Sequence, residues 1–425
     1  MNYFKLISVS LLLILTACQS DLDTLTVASH DSQSVYATSS STTISPEDAI
    51  QQALAFTTSM KKVTRSAEFD KQVSSVYAWR SSEIYSNDVT RSATTSALPD
   101  TLLYIVNFEA NSGYALVSAS TKVPGVVAYI ENGSLSPDEE IDNPGFRLFL
   151  DGYRDYVITD SIVGPVGPFF PEYNHLLEVE YSSGPLLTTN WGQGRPYNNE
   201  CFTDSGAQAR AGCVAIAIGQ ICGYHRYPYN TSTTGSYVDW DLIMTYEQVP
   251  PSNPYASLYI ASFIHDIGIL VDMEYGESSS SATFDNVEDA WYSYDYNYQK
   301  EYSADFDSIK VDISNRHPVF MIGFREYLDN DGELHRSGHA WVVDGVAIKS
   351  MYLEHFPLDN GPVTVEKITQ NLVHCNWGWN GSNNGYFIIG AFENRYNLND
   401  DGIETGFRPY NINNYVYRNI YPLDY

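Results

Sequence analysis

The sequence predicts an α+β protein in two parts, and three observations carry that reading. Val214-Ala215-Ile216-Ala217-Ile218, directly after Cys213, is apolar on every side, as a helix buried within a domain must be. Strand-like runs follow it, so the larger part pairs a buried helix with an antiparallel sheet. Ahead of both, a helix signal and a short meander define a smaller α+β unit. A chain of 425 residues has room for two or three domains at ~100–200 residues each.

The smaller unit is read over residues 45–157. Ser45-Pro46-Glu47-Asp48 is a helix start, with a Ser cap, Pro at the first helical position and acids in the first turn. Ile50, Ala53, Leu54 and Ala55 give that helix an apolar face. Strands over 102–108 and 114–119 flank Asn111-Ser112-Gly113, a hairpin turn. A third strand, 123–130, stops at Asn132-Gly133. Residues 158–185 are rich in Gly and Pro (Gly164-Pro165-Val166-Gly167-Pro168, Ser182-Ser183-Gly184-Pro185) and read as an exposed linker open to proteolysis. The larger unit runs from 186 to 425 with one long apolar helix.

Composition excludes some functions. Lys and Arg number 23 against 52 Asp and Glu, a net charge of -29. Both sides of residue 186 are acidic, so the chain lacks the cations that nucleic-acid phosphates or anionic lipid would require. Thirty-four tyrosines suggest a polar, aromatic surface of β character.

The N-terminus reads as an export signal over residues 1–17. Lys5 precedes the mostly apolar run 6–15, too short for a permanent span of ~20 residues. It ends Leu15-Thr16-Ala17-Cys18, which resembles a bacterial lipobox whose cysteine thiol takes the lipid. Cys18 is the expected lipidation site, and the Ser/Thr-rich residues 18–44 are a flexible tether. The protein is expected to be exported and membrane-anchored at the cell envelope or surface, with release of the mature part on cleavage.

Chemistry concentrates in the larger unit. Cys213 begins the apolar helix, where free N–H groups and the helix dipole favour a thiolate. Gly212 before it permits close approach. His339, in Ser337-Gly338-His339-Ala340-Trp341-Val342-Val343-Asp344-Gly345, lies near the start of a strand and can act as a base towards a thiol. Asn376 and Trp377, in His374-Cys375-Asn376-Trp377-Gly378-Trp379, can accept from the other ring nitrogen of His339 and shield that bond. Separately these are an ordinary buried cysteine, a core histidine and a packed turn; in the order Cys, His, Asn-Trp they form a nucleophilic set. Cys201, Cys222 and Cys375 leave room for at most one disulfide. No CxxC pair is present. His335 and His339 are four apart, but Arg336 and Gly338 spoil a zinc helix. Asn397 to Arg408 starts like a calcium loop and ends on the wrong residue. No metal is expected.

With these residues in hand, the chain resembles the streptopain-like cysteine peptidases from about residue 45 to the C-terminus. The resemblance is closest at Thr189-Asn190-Trp191-Gly192-Gln193, Gly212-Cys213-Val214-Ala215, Gly338 to Gly345 and Asn376-Trp377-Gly378-Trp379. It implies a papain-like catalytic domain behind an inhibitory pro-domain, with the activating cut in the linker. It also implies Cys213 as nucleophile, His339 as base, Gln193 as oxyanion-hole donor, and Asn376 and Trp377 orienting and shielding the histidine. The expected activity is an endopeptidase made as a zymogen, acting on protein or peptide substrates through a thioester, with no cofactor and with its own pro-domain as inhibitor. The rival readings are an amidase or acyl-transferase on the same core, or a non-catalytic surface binding protein. Presence of the full set Gln193, Cys213, His339 and Asn376 argues against the last.

Overall fold

The structure is a computed structural model that describes residues 43–64, 70–80, 100–120, 123, 125–159, 177–283, 286–328, 334–355, 364–392 and 413–423. Cys18, the export signal and nearly all of the tether lie outside them, as does the calcium-like loop.

Helix α1 (Pro46–Thr64) begins on a reciprocal cap. Ser45 Oγ accepts from the Asp48 N–H at 3.1 Å, and the Asp48 carboxylate accepts from the Ser45 N–H at 3.1 Å. Strands β1 (Val73–Arg80), β2 (Thr101–Phe108), β3 (Tyr114–Ser118) and β4 (Val126–Ile130) form an antiparallel meander. The turn at 111–113 is where the sequence placed it. Gly113 has φ 101°, and a side chain there would meet the Ile130 carbonyl at 2.2 Å. Helix α2 (Pro144–Thr159) completes this part. Asn143 Oδ1 caps it by accepting from the N–H groups of Gly145 and Phe146.

The segment expected to be a linker contains a strand near its end. Residues 178–183 form β5 (Glu178–Ser183), paired with β8 (Leu334–His355). Ser59 on α1 reinforces it, its Oγ accepting from the Val179 N–H at 2.7 Å. Of the six residues only Val179 is buried, so the strand carries almost no apolar signal.

The larger part contains α3 (Cys213–His225), α4 (Trp240–Ile243), α5 (Pro254–Leu270), α6 (Val287–Ser293) and α7 (Phe306–Ser314). Its strands, with β8, are β6 (Tyr296–Glu301), β7 (Val319–Leu328), β9 (Thr364–Asn376), β10 (Gly385–Ile388) and β11 (Asn413–Pro422). A second apolar helix, α5, packs beside α3, where the sequence reading had only one. The sheet runs β1-β2-β3-β4-β10-β9-β8-β7-β11-β6, with β5 on β8. The join is the antiparallel pair β4 and β10, with Tyr129 opposite Tyr386. The smaller part therefore extends the larger part's sheet.

Alternation along β8 separates two cores. Ala340 and Val342 belong to the core that α3 and α5 fill. Trp341 and Val343 belong to the other, with Phe146 and Phe149 of α2. The four described cysteines, Cys201, Cys213, Cys222 and Cys375, are free thiols.

Candidate active site

Cys213 is the first residue of α3, after Gly212 with φ 88°. A side chain at 212 would meet Met273 Cε at 2.6 Å, so glycine is required on both counts. Cys213 is half-buried and packs with the core that α3 and α5 fill. Its thiol differs from the activated thiolate expected from sequence. Desolvation raises its pKa, and the backbone N–H groups of Ala340, Val214 and Cys213 itself only partly counter this. Burial outweighs the helix terminus in this state.

His339 lies on β8 opposite Gly323 of β7 and is 2% exposed. Its Nε2 lies 2.7 Å from the Trp377 carbonyl oxygen. A carbonyl only accepts, so Nε2 carries the hydrogen and Nδ1 of the neutral ring is left as acceptor. Burial pushes the His339 pKa down to about 4, so the ring is neutral at pH 7. The surrounding rings are Trp377, with centroids 6.5 Å apart, and Trp379, at 6.4 Å. Both tryptophans belong to the core that α2 shares, whereas Cys213 belongs to the other. Among the described residues no thiol–imidazole hydrogen bond joins the two.

Asn376 does not orient the histidine as expected. Its Oδ1 accepts from Gln220 Nε2 at 3.1 Å and from the Gly378 N–H at 3.2 Å, and its Nδ2 donates to the Thr189 carbonyl at 2.6 Å. The amide is used up by a buried network, and the adjacent carbonyl of Trp377 takes the His339 hydrogen instead. Trp377 is fully buried and packs on Trp341 and Phe387. Gln193 is 7% exposed, and its carbonyl accepts from the Ala211 N–H at 3.0 Å. That bond fixes it beside the chain two residues before Cys213.

Helix α2 reaches this site. A Cβ built on Gly145 would stand 2.3 Å from Trp377 Cε3 and 2.7 Å from His339 Cδ2. Asn143 Nδ2 donates to the Ser382 carbonyl at 2.9 Å, and Asn383 Nδ2 donates to Tyr114 Oη at 2.8 Å. Arg325 of β7 pairs with Asp151 of α2. Beside β10, His374 sits between carboxylates of both parts, Asp344 at 2.6 Å and Glu131 at 3.7 Å. A bulge in the β8–β9 register at Asp344 turns that residue towards His374. Burial opposes charge on His374, but the two carboxylates win and raise its pKa to about 10.

The sequence reading passed over Gln220, Gly145 and the Asp344–His374 pair. Gln220 had a signal, as the one amide within the apolar run after Cys213. Gly145 had none.

A helix-borne cysteine, a strand-borne histidine and a preceding domain packed on that histidine define the architecture of a thiol-protease zymogen. The Peptidase C10 family matches residues 191–387, and the Spi protease inhibitor family matches residues 41–157. The chain is thus similar to the streptopain-like cysteine peptidases over residues 191–387, and to a protease-inhibitor family over the residues ahead of them. It is 25% identical over 346 residues to the thiol protease/hemagglutinin PrtT of Porphyromonas gingivalis, covering 72% of this chain and 35% of that protein. It is 24% identical over 353 residues to streptopain of Streptococcus pyogenes, covering 72% of this chain and 76% of that one. The chain thus spans about a third of the first relative and three quarters of the second. In fold it is similar to a prointerpain A fragment of Prevotella intermedia, with TM-score 0.51 and 22% identity over 75% of this chain and 96% of that one.

Proposed function

We propose that the chain is an exported, lipid-anchored cysteine endopeptidase made as a zymogen, with Cys213 as nucleophile and His339 as base. The observation that carries this is the seat of Gly145 against His339 and Trp377, which puts the inhibitor-family domain on His339. In this state both the thiol and the imidazole are neutral. Cleavage in the linker read over 158–185 and departure of α2 admit water to His339 and reverse the desolvation that lowers its pKa. The thiol proton then passes to Nδ1, while Nε2–H stays on the Trp377 carbonyl.

The thiolate attacks the scissile carbonyl carbon, and the C=O pair moves to oxygen. Gln193 Nε2–H and the Cys213 backbone N–H hold that oxyanion. As it collapses, the C–N bond breaks and the imidazolium gives its proton to the leaving amine. A thioester remains. His339 takes a proton from water, which attacks the thioester, and the thiolate leaves. No step needs a cofactor. Substrates are proteins or peptides. Cys18 carries the lipid, and the activating cut frees the peptidase from its tether.

The test is a comparison of the chain lacking residues 1–18 with its Cys213→Ala variant, under reducing conditions. Wild type is expected to lose its N-terminal part on a gel and to digest casein, while the variant stays full length and inert. If both remain inert after added trypsin, the peptidase reading is overturned in favour of a binding protein. Anchoring is tested by labelled fatty acid on the full chain, which Cys18→Ala should abolish.

A further inference from the structure

Gln220 lies seven residues after Cys213 on α3, two turns on and therefore on the same face of the helix. It is fully buried, and the other residues of the helix up to Gly223 are apolar or small. Its amide is engaged on both sides. Oε1 accepts from Thr189 Oγ1 at 3.0 Å and from the Trp191 N–H at 3.3 Å. Nε2 donates to Asn376 Oδ1 at 3.1 Å. Thr189, Trp191 and Asn376 are themselves 3% exposed or less.

These bonds join three separate pieces of chain. One is the helix whose first residue is Cys213. The second is the segment 189–193 that ends in Gln193. The third is the end of β9, where Asn376 precedes the carbonyl that takes the His339 hydrogen. Asn376 closes the ring by donating to the Thr189 carbonyl at 2.6 Å. Every member is uncharged, so pH does not alter the network in the wild-type protein. None of its hydrogen-bond partners lies on α2.

We propose that Gln220 is a positioning residue for the peptidase reaction. It sets the nucleophile helix, the oxyanion donor and the acceptor of the His339 hydrogen in one register. The inference rests on the catalytic reading above. It requires an acceptor and a donor on one planar group, a demand glutamine meets and methionine of similar length does not. Protonated glutamate meets it too, its carbonyl accepting from Thr189 and its hydroxyl donating to Asn376. Ionised glutamate has lost the donor.

The test uses the full chain, activated by its own processing or by limited trypsin, with a short chromogenic peptide as substrate. Wild type and Cys213→Ala come first: if wild type shows no Cys213-dependent turnover, the peptidase reading falls and this role with it. Given turnover, Gln220→Met is expected to lower kcat about 10²-fold, the scale of a misplaced reacting group, with KM little changed. Gln220→Glu is expected to recover kcat at low pH and lose it as pH rises, adding a titration absent from wild type, while circular dichroism stays constant over that range. Wild-type kcat in a folded Gln220→Met variant would overturn the role. Should Gln220→Met fail to fold, a Gln220→Glu profile that overlays wild type overturns it instead.

Discussion

Gly145 of α2 and His339 of β8 are packed so closely that a methyl group on the glycine would reach the imidazole Cδ2 at 2.7 Å. The same methyl would enter the Trp377 ring, at 2.3 Å from Cε3, and Trp377 is fully buried. Inhibition in this account is that contact. Gly145→Leu overpacks it at a cost of about 1–3 kcal/mol. A tenfold change in population takes about 1.4 kcal/mol. The uncleaved Gly145→Leu chain should therefore hydrolyse a small peptide ~5–140-fold faster than uncleaved wild type, in initial rates taken before a gel shows processing. Equal rates count against the contact as the source of inhibition.

The join between the two parts should depend on pH through two buried groups that act in opposite directions. His374 is held protonated by Asp344 and Glu131, its pKa raised from the usual 6.5 to about 10. Its contribution is fully present below about 6.5 and is lost as pH rises to about 10. Lys349 of β8 is fully buried, its Nζ donating to the Val126 carbonyl of β4, and burial lowers its pKa to about 7. Its penalty is full below about 7 and gone above about 10.5. Thermal midpoints of the full chain with Cys213→Ala should show Lys349→Met more stable than the parent at pH 7 and falling steadily towards pH 10. His374→Gln should remove that fall. A Lys349→Met chain whose midpoint is flat over this range contradicts the assignment.

Asn376 acts on stability before it acts on His339. Asn376→Ala leaves Gln220 Nε2, the Gly378 N–H and the Thr189 carbonyl without the partners they have now. A buried polar group left unpaired costs about 1–3 kcal/mol. The variant should lower the thermal midpoint of the uncleaved chain as well as the rate of the activated one. An unchanged midpoint with reduced kcat would restore Asn376 to direct contact with the histidine.

For Gln193 the expectation is purely kinetic. Removing one oxyanion donor typically costs about 10²–10³ in kcat. Gln193→Ala should lose that much after trypsin activation, with thiol alkylation at Cys213 unaffected. A loss below tenfold assigns the oxyanion to other donors.

Much of the site was legible because its residues sit in short, contiguous patterns. Cys213 announces itself through the apolar helix behind it, and His339 through a glycine-bounded strand. The first helix was readable to its cap, since Ser45, Pro46 and Asp48 each do one local thing. Strand β5 was hidden because its pairing, not its own side chains, makes it a strand. The partners of Asn376 and the neutral state of Cys213 were hidden for a related reason. Both depend on segments far apart in sequence, and desolvation is a property of packing that no local spacing encodes. Gly145 shows the limit most clearly: a glycine needed for close approach across two domains looks like any other glycine at a helix start.

In the uncleaved chain Cys213 and His339 stand as a neutral thiol and a neutral imidazole, with α2 packed on the histidine. The most direct measurement is the rate of Cys213 alkylation by iodoacetamide from pH 4 to 10, located by peptide mapping, in the uncleaved and the trypsin-activated chain. The account predicts slow alkylation of the uncleaved chain, rising only above the ordinary thiol range. After activation it predicts fast alkylation that already persists at acid pH, as a thiolate–imidazolium pair requires. Two superimposable profiles, whether fast or slow, would contradict it.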